Sequence, residues 1–257
     1  MEIVLISLVA FVTAILTFFS GFGLGTILAP VMMLFFPIEV AIALTGVVHF
    51  SNNLFKLTLV GKNFDKEVVL RFGIPAVVFA FLGALILVKI PNMQPLYSYT
   101  LLNKTFEVLP LKLLIAVFMT FFAIVDLLPF FNKLQFDKNK LPIGGAFSGF
   151  FGGLTGSQGA LRSAFLIRSG LSKEAFVGTT VVISSFVDFT RLSVYATRIF
   201  NLNLKENGIL LICATISAMT GAFIGNKLLK KVTFKFIQYC VAIALLLLSI
   251  CLGLGWI

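Results

Sequence analysis

Charge is scarce in this sequence. Asp, Glu, Lys and Arg make up 12% of its 257 residues, against about a quarter in an ordinary soluble domain. There are 10 acidic side chains, 1 histidine, 1 tryptophan and 3 cysteines. Cys213, Cys240 and Cys251 all fall in apolar runs without CxxC spacing, so neither a disulfide framework nor a thiolate metal site is expected. A single histidine is too few for an ordinary imidazole metal centre. No nucleophile–base arrangement or redox ligand set is visible either. The expectation is a protein that is not an enzyme, with no metal and no cofactor.

What the sequence has instead is apolar surface. Hydrophobic residues reach 59%, with 30 Phe, and the mean hydropathy is +1.08. Apolar windows long enough to cross hydrocarbon recur along the whole chain, and no long alternating pattern suggests a barrel. The fold class expected is an all-α polytopic membrane protein, without room for a separate soluble domain. The first apolar run opens directly after Glu2, with neither a basic n-region nor a small-residue cleavage site. It is therefore expected to be a membrane segment rather than a secretory signal. The net charge of +10 sits in short loops between apolar segments. That distribution fits a positive-inside topology and excludes a nucleic-acid face.

The chain divides into two homologous halves, 1–131 and 143–257, joined by a solvated linker at 132–142. Each half carries four hydrophobic segments. The first pair, about 3–36 and 142–168, is interrupted by glycines at Gly21, Gly23 and Gly25, and again from Gly152 to Gly159. The following helices are expected at about 39–59 and 174–197, the third pair at about 69–89 and 208–229, and the last at about 110–131 and 234–256. Residues 90–109 read as a loop present only in the first half. If each broken segment crossed the membrane once, Lys and Arg would divide almost evenly between the faces, about ten against nine. If each dips in and returns, the repeats are inverted and the division is thirteen against six. The second arrangement fits the positive-inside rule better and predicts re-entrant hairpins, with both termini outside.

The second helix of each half carries a polar stripe. The first copy reads Glu39, Thr45, His49, Asn53, Lys56, and the second reads Glu174, Thr180, Ser184, Asp188, Arg191, each residue 135 positions after its counterpart. From the threonine onward the spacing is i, i+4, i+8, i+11, which lines one helix face. Such a stripe is costly against lipid and should face a protein-lined cavity. Glu39 and Glu174, at the helix starts, read as N-terminal caps. Asp188 can neutralise Arg191 three residues later, whereas Asn53 leaves Lys56 without an acid. Lys56 and Arg191 have a second reading, as helix ends reaching towards headgroups. His49 could carry a proton or serve as a hydrogen-bonded packing residue.

The glycine breaks free backbone groups, which is tolerable where they line a ligand cavity. Helices restarting near Thr26 and Ala160 would aim N–H groups and positive dipole ends at an anion. The alternative is close helix packing through small residues. Arg162, three residues past Gly159, needs a partner, water or an anion. The candidate substrate-binding residues are therefore Gly23, Gly25, Thr26, Thr45, His49, Asn53, Lys56, Ser157, Gln158, Gly159, Arg162, Thr180, Ser184, Asp188 and Arg191.

Together, GFGLGTILAP followed by Ala41, Thr45, Asn53 and Lys56, and its echo GFFGGLTGSQGA…SGLSKEAFVGTT, resemble the TauE/SafE family of sulfite exporters and related anion permeases. The resemblance spans nearly the whole chain. It implies a carrier of about eight hydrophobic segments in a prokaryotic cytoplasmic membrane, moving sulfite, thiosulfate-type, organosulfonate or other small organic anions. The chain departs from the family at Ala160-Leu161-Arg162, where a glycine-proline pair is usual. The expected function is a secondary transporter of small, sulfur-containing anions, by alternating access around a midplane site. Its partners would be the anion, a coupling proton or sodium ion and the bilayer. An anion channel and a non-transporting membrane scaffold are the alternatives.

Overall fold

The computed structural model describes residues 2–18, 24–89, 94–128, 138–156, 158–166, 169–200, 204–228 and 234–256. Helices α1 (Glu2–Thr17), α2 (Leu24–Met32) and α3 (Ile38–Val60) open the chain. Helix α4 (Lys66–Lys89) contains a π turn at Val69–Gly73, and α5 (Pro110–Leu127) closes the first half. The second half holds α6 (Leu141–Thr155), α7 (Gly159–Leu166), α8 (Lys173–Phe200), α9 (Leu204–Leu228) and α10 (Phe234–Gly253). Each expected helix is present, with ends within about one turn of the sequence reading.

Four of these are long and apolar enough to cross a bilayer, over Ile38–Asn63, Lys66–Lys89, Lys173–Ala196 and Asn207–Leu228. At about 1.5 Å per residue each spans the hydrocarbon. Their outward faces are apolar: Leu70, Ile74 and Val78 on α4, and Ile209, Ile212 and Ile216 on α9, are all more than half exposed. Apolar stripes at helical spacing are a liability in water and ordinary in lipid. The chain is a multi-pass membrane protein.

One expectation is corrected in part: residues 94–109 are not simply a loop but carry a two-stranded hairpin within an otherwise helical fold. Tyr97–Leu101 (β1) pairs antiparallel with Lys104–Val108 (β2). The two turn residues, Leu102 and Asn103, both have positive φ, at 50° and 60°, as the tightest hairpin turn requires. The hairpin is tied to the end of α10: Tyr99 donates to the Leu254 carbonyl at 2.8 Å and accepts from Trp256 Nε1 at 2.8 Å.

The halves exchange partners. Helix α6 lies along α4, and α1 lies along α9, so the first arm of each half rests on the third helix of the other. Helix α3 packs against α8, and α5 against α10. The α4–α6 contact is made by small residues: a Cβ added at Gly145, Gly149 or Gly153 would run into the backbone of Phe72, Ala76 or Ala80. These glycines, four residues apart, form one face and bring two backbones into contact. For them, close packing is the correct reading.

Helix α6 ends at the break. Gly156 adopts φ +77°, and its N–H donates to the Gly152 carbonyl at 3.0 Å. The left-handed residue reverses the chain, and α7 then runs back along α6. Gln158 lies against Gly152, its carbonyl accepts from Ser148 Oγ at 2.9 Å, and the Phe165 ring covers Gly144. Helices α1 and α2 also contact each other.

The cap expectations are corrected as well. Helix α3 begins after Pro37 without any side-chain cap bond, so Glu39 contributes only charge to the first turn. At α8 the cap is Ser172, whose Oγ accepts from Ala175 N at 3.1 Å, and Glu174 is exposed. At the exposed start of α4, Glu67 joins Arg71 at 3.1 Å and Lys138, in the segment before α6, at 2.9 Å. The hydrogen bond and charge of Glu67 lift the Lys138 ammonium above its usual pKa.

Candidate functional site

The two polar stripes meet. Helices α3 and α8 bring their counterpart positions into direct contact: Asn53 Nδ2 donates to Asp188 Oδ2 at 2.8 Å, across a separation of 135 residues. His49 Nδ1 bonds the same oxygen at 2.6 Å. The other oxygen, Oδ1, accepts from Arg191 Nε at 2.9 Å and from Gln158 Nε2 at 3.1 Å. Arg191 Nη2 lies 2.9 Å from it as an ion pair. Asp188 and Arg191 are both 0% exposed. With four donors on one carboxylate, this cluster satisfies the ionised acid, and the proton shared with His49 belongs on Nδ1.

Beside this cluster lies a small pocket, partly open outward. It is lined by Thr17, Phe18, Leu24, His49, Asn53, Lys56, Arg162, Thr180, Val181 and Ser184. Lys56 is 6% exposed and places Nζ 5.3 Å from the centre of the Phe18 ring, a cation–π distance. Among the described residues, no ion pair includes Lys56. Arg162 is 1% exposed. Neither Lys56 nor Arg191 reaches for headgroups, because both turn inward.

The glycine breaks converge here. A Cβ on Gly25 would come 3.0 Å from the Gly156 carbonyl oxygen and 3.6 Å from the His49 ring. One on Gly156 would approach Arg191 Nη1 to 3.1 Å, and one on Gly46 would crowd the Leu192 side chain at 3.0 Å beside the Arg191 guanidinium. Small residues thus let two chain breaks and a buried arginine share one place.

The other candidates are placed as follows. Thr180 and Ser184 reach the pocket, although the Thr180 hydroxyl donates to the Val177 carbonyl at 2.8 Å. Gln158, Asp188 and Arg191 stand behind it as the supporting network. Thr26 is buried on α2, and Gly159 begins α7, neither lining the pocket. Thr45 is fully buried and its Oγ1 makes no hydrogen bond among the described residues. Gly23 and Ser157 lie outside the described residues.

Three contributors escaped the sequence reading. Tyr195 hydrogen-bonds the Gly153 carbonyl, one of the acceptors left over where α6 ends. It sits four residues past Arg191 and so continues the stripe, which was the available signal. Asn52, seven residues past Thr45, shares that helix face, and it is fully buried with neither amide atom partnered. Phe18 carried no sequence signal, since it is one phenylalanine among 30.

A lipid-facing helical bundle around a buried, net-cationic pocket defines a membrane transport protein rather than a soluble binding module. The profile of the sulfite exporter TauE/SafE family matches residues 6–252, and the chain belongs to that family. This is a family of transporters, not of enzymes. A comparison with curated proteins finds no match.

Proposed function

We propose that this chain is a secondary transporter of small anions, of the sulfur oxyanion or organosulfonate class, working by alternating access. The observation that carries the reading is the charge balance of the pocket. Among the described residues, Lys56, Arg162 and Arg191 are buried around one buried carboxylate, Asp188. Uncompensated charge in a membrane interior is expensive unless a ligand supplies the counter-charge. Arg191 Nη2 is engaged by Asp188 at 2.9 Å, whereas the buried Nη1 forms no hydrogen bond among the described residues, which leaves a donor for an oxyanion or its water shell. Asn53, Thr180 and Ser184 add neutral groups at the lining.

In this proposal the halves 1–131 and 143–257 are inverted repeats, and α1–α2 and α6–α7 are re-entrant hairpins. The exchange of first arms between halves and the 135-residue relation of Asn53 to Asp188 support it. Alternation would be a rocking of one half against the other around the α3–α8 contact. The cytoplasmic membrane of a prokaryote and outward termini complete the proposal, on the charge bias of the loops.

The test is a thermal-shift series on purified protein with sulfite, thiosulfate, sulfoacetate, taurine, carboxylates and neutral sugars. Ligand binding stabilises in proportion to the logarithm of ligand concentration over Kd. Dose-dependent stabilisation by anions but not by sugars is expected. Equal response to all, or to none, overturns the reading.

A further inference from the structure

We propose that the anion enters this pocket together with a proton, taken up on Nε2 of His49, so that transport is coupled to protons. This rests on the anion reading above and adds the coupling ion. The argument starts from the tautomer. Asp188 Oδ2 holds His49 through Nδ1 at 2.6 Å, and the same oxygen is held by Asn53. With the Nδ1 proton committed to Asp188, Nε2 of the neutral ring carries a lone pair rather than a hydrogen. The ring lines the pocket, and among the described residues Nε2 has no hydrogen-bond partner. A lone pair facing an anion is repulsive. Once Nε2 accepts a proton from solvent, the same atom becomes a charged donor to the anion, and no bond to Asp188 is lost.

The surrounding charges make the two events conditional on each other. Asp188 and Arg191 face the ring from α8, and Lys56 faces it from α3 itself. Arg162 of α7 lines the same pocket. Helix α2 carries no titratable side chain, and no described residue of α9 is among the groups acting on the ring. Among the described residues, Lys56 and Arg162 at the lining and Arg191 behind it thus stand around one buried carboxylate, Asp188. A further positive charge on His49 is admitted when the anion brings its own negative charge, and the anion gains a donor when His49 is charged. Each stabilises the other, which is thermodynamic linkage.

The experiment is isothermal titration of the purified protein with sulfate, thiosulfate and methanesulfonate, none of which titrates near neutral pH. Each titration is run in two buffers of different ionisation enthalpy. The expected result is uptake of about one proton per anion above neutral pH, with affinity falling by about tenfold per pH unit there. His49→Gln is expected to bind more weakly and to take up no proton. Binding that is independent of buffer and pH overturns the proton coupling while leaving the anion site intact. Full proton uptake in His49→Gln assigns the proton elsewhere and also overturns it. If none of the three anions binds, the anion reading itself fails, and the coupling with it. Should His49→Gln not fold, buffer-independent binding by the unaltered protein still overturns the coupling, and loss of the proton uptake in Lys56→Gln would assign the proton to that ammonium and overturn the role of His49.

Discussion

Replacing Asp188 with asparagine removes one negative charge and almost nothing else in volume. That oxygen pair accepts from His49, Asn53, Gln158 and Arg191 at 2.6 to 3.1 Å. Asparagine keeps one acceptor but turns its amide nitrogen towards existing donors. It also leaves Arg191, 0% exposed, without a counter-charge. Removing one partner of a buried ion pair costs about 3–5 kcal/mol, mostly for the charge left behind. For a chain of this size that corresponds to a fall in Tm of roughly 6–20 °C. The assay is thermal unfolding in detergent, with Asp188→Asn, Arg191→Gln and the double variant measured side by side. If the loss comes from the orphaned guanidinium, the double variant recovers more than half of it, because neither charge then remains buried alone. A Tm for Asp188→Asn within about 1 °C of the unaltered protein refutes the account of the cluster, as does strict additivity in the double variant.

Three further outcomes follow from the same geometry. Lys56→Gln should weaken anion binding by at least about tenfold, the value of one charge-assisted hydrogen bond. It should leave Tm nearly unchanged, since no described ion pair is broken; a large drop in Tm with unaltered affinity would show that Lys56 is structural. Gly149→Ala should destabilise by about 1–3 kcal/mol or more, because its Cβ meets the Ala76 backbone and the helices must separate. Gly208→Ala, with nothing within 4 Å, should instead gain about 0.5–1 kcal/mol; parallel thermal unfolding separates the two. Gly156→Ala should lose about 1–2 kcal/mol from its φ of +77° alone. It should also weaken anion binding by displacing Arg191, which the thermal-shift response to thiosulfate would read.

Much of the bundle could be read from hydropathy, because a membrane helix must satisfy its own backbone and therefore writes its length into the sequence. The stripes were readable for the same reason: polar residues in lipid need a shared cavity, and counterpart positions Asn53 and Asp188 do touch. The bond between His49 and Asp188 was not readable. It depends on the angle at which α3 crosses α8, and spacing within one helix carries no such angle. The glycines were ambiguous in sequence because two physical uses share one residue. Gly145, Gly149 and Gly153 pack helices, whereas Gly156 turns the chain. Only the backbone angle tells them apart. The hairpin was missed although Tyr97, Tyr99, Thr105 and Phe106 are residues that favour strands. Its turn holds Leu102 where glycine or asparagine is expected, and the bonds of Tyr99 to Leu254 and Trp256 that hold it lie more than 150 residues away.

The central claim, that a carrier moves anions through the pocket between α3 and α8, is tested most directly by counterflow. Proteoliposomes are preloaded with the anion giving the largest thermal shift, and the same anion, radiolabelled, is added outside. A carrier accelerates uptake of label into preloaded vesicles with a transient overshoot, and Lys56→Gln and Arg162→Gln should reduce that overshoot. Uptake that is indifferent to preloading, or that persists unchanged in both variants, contradicts the account.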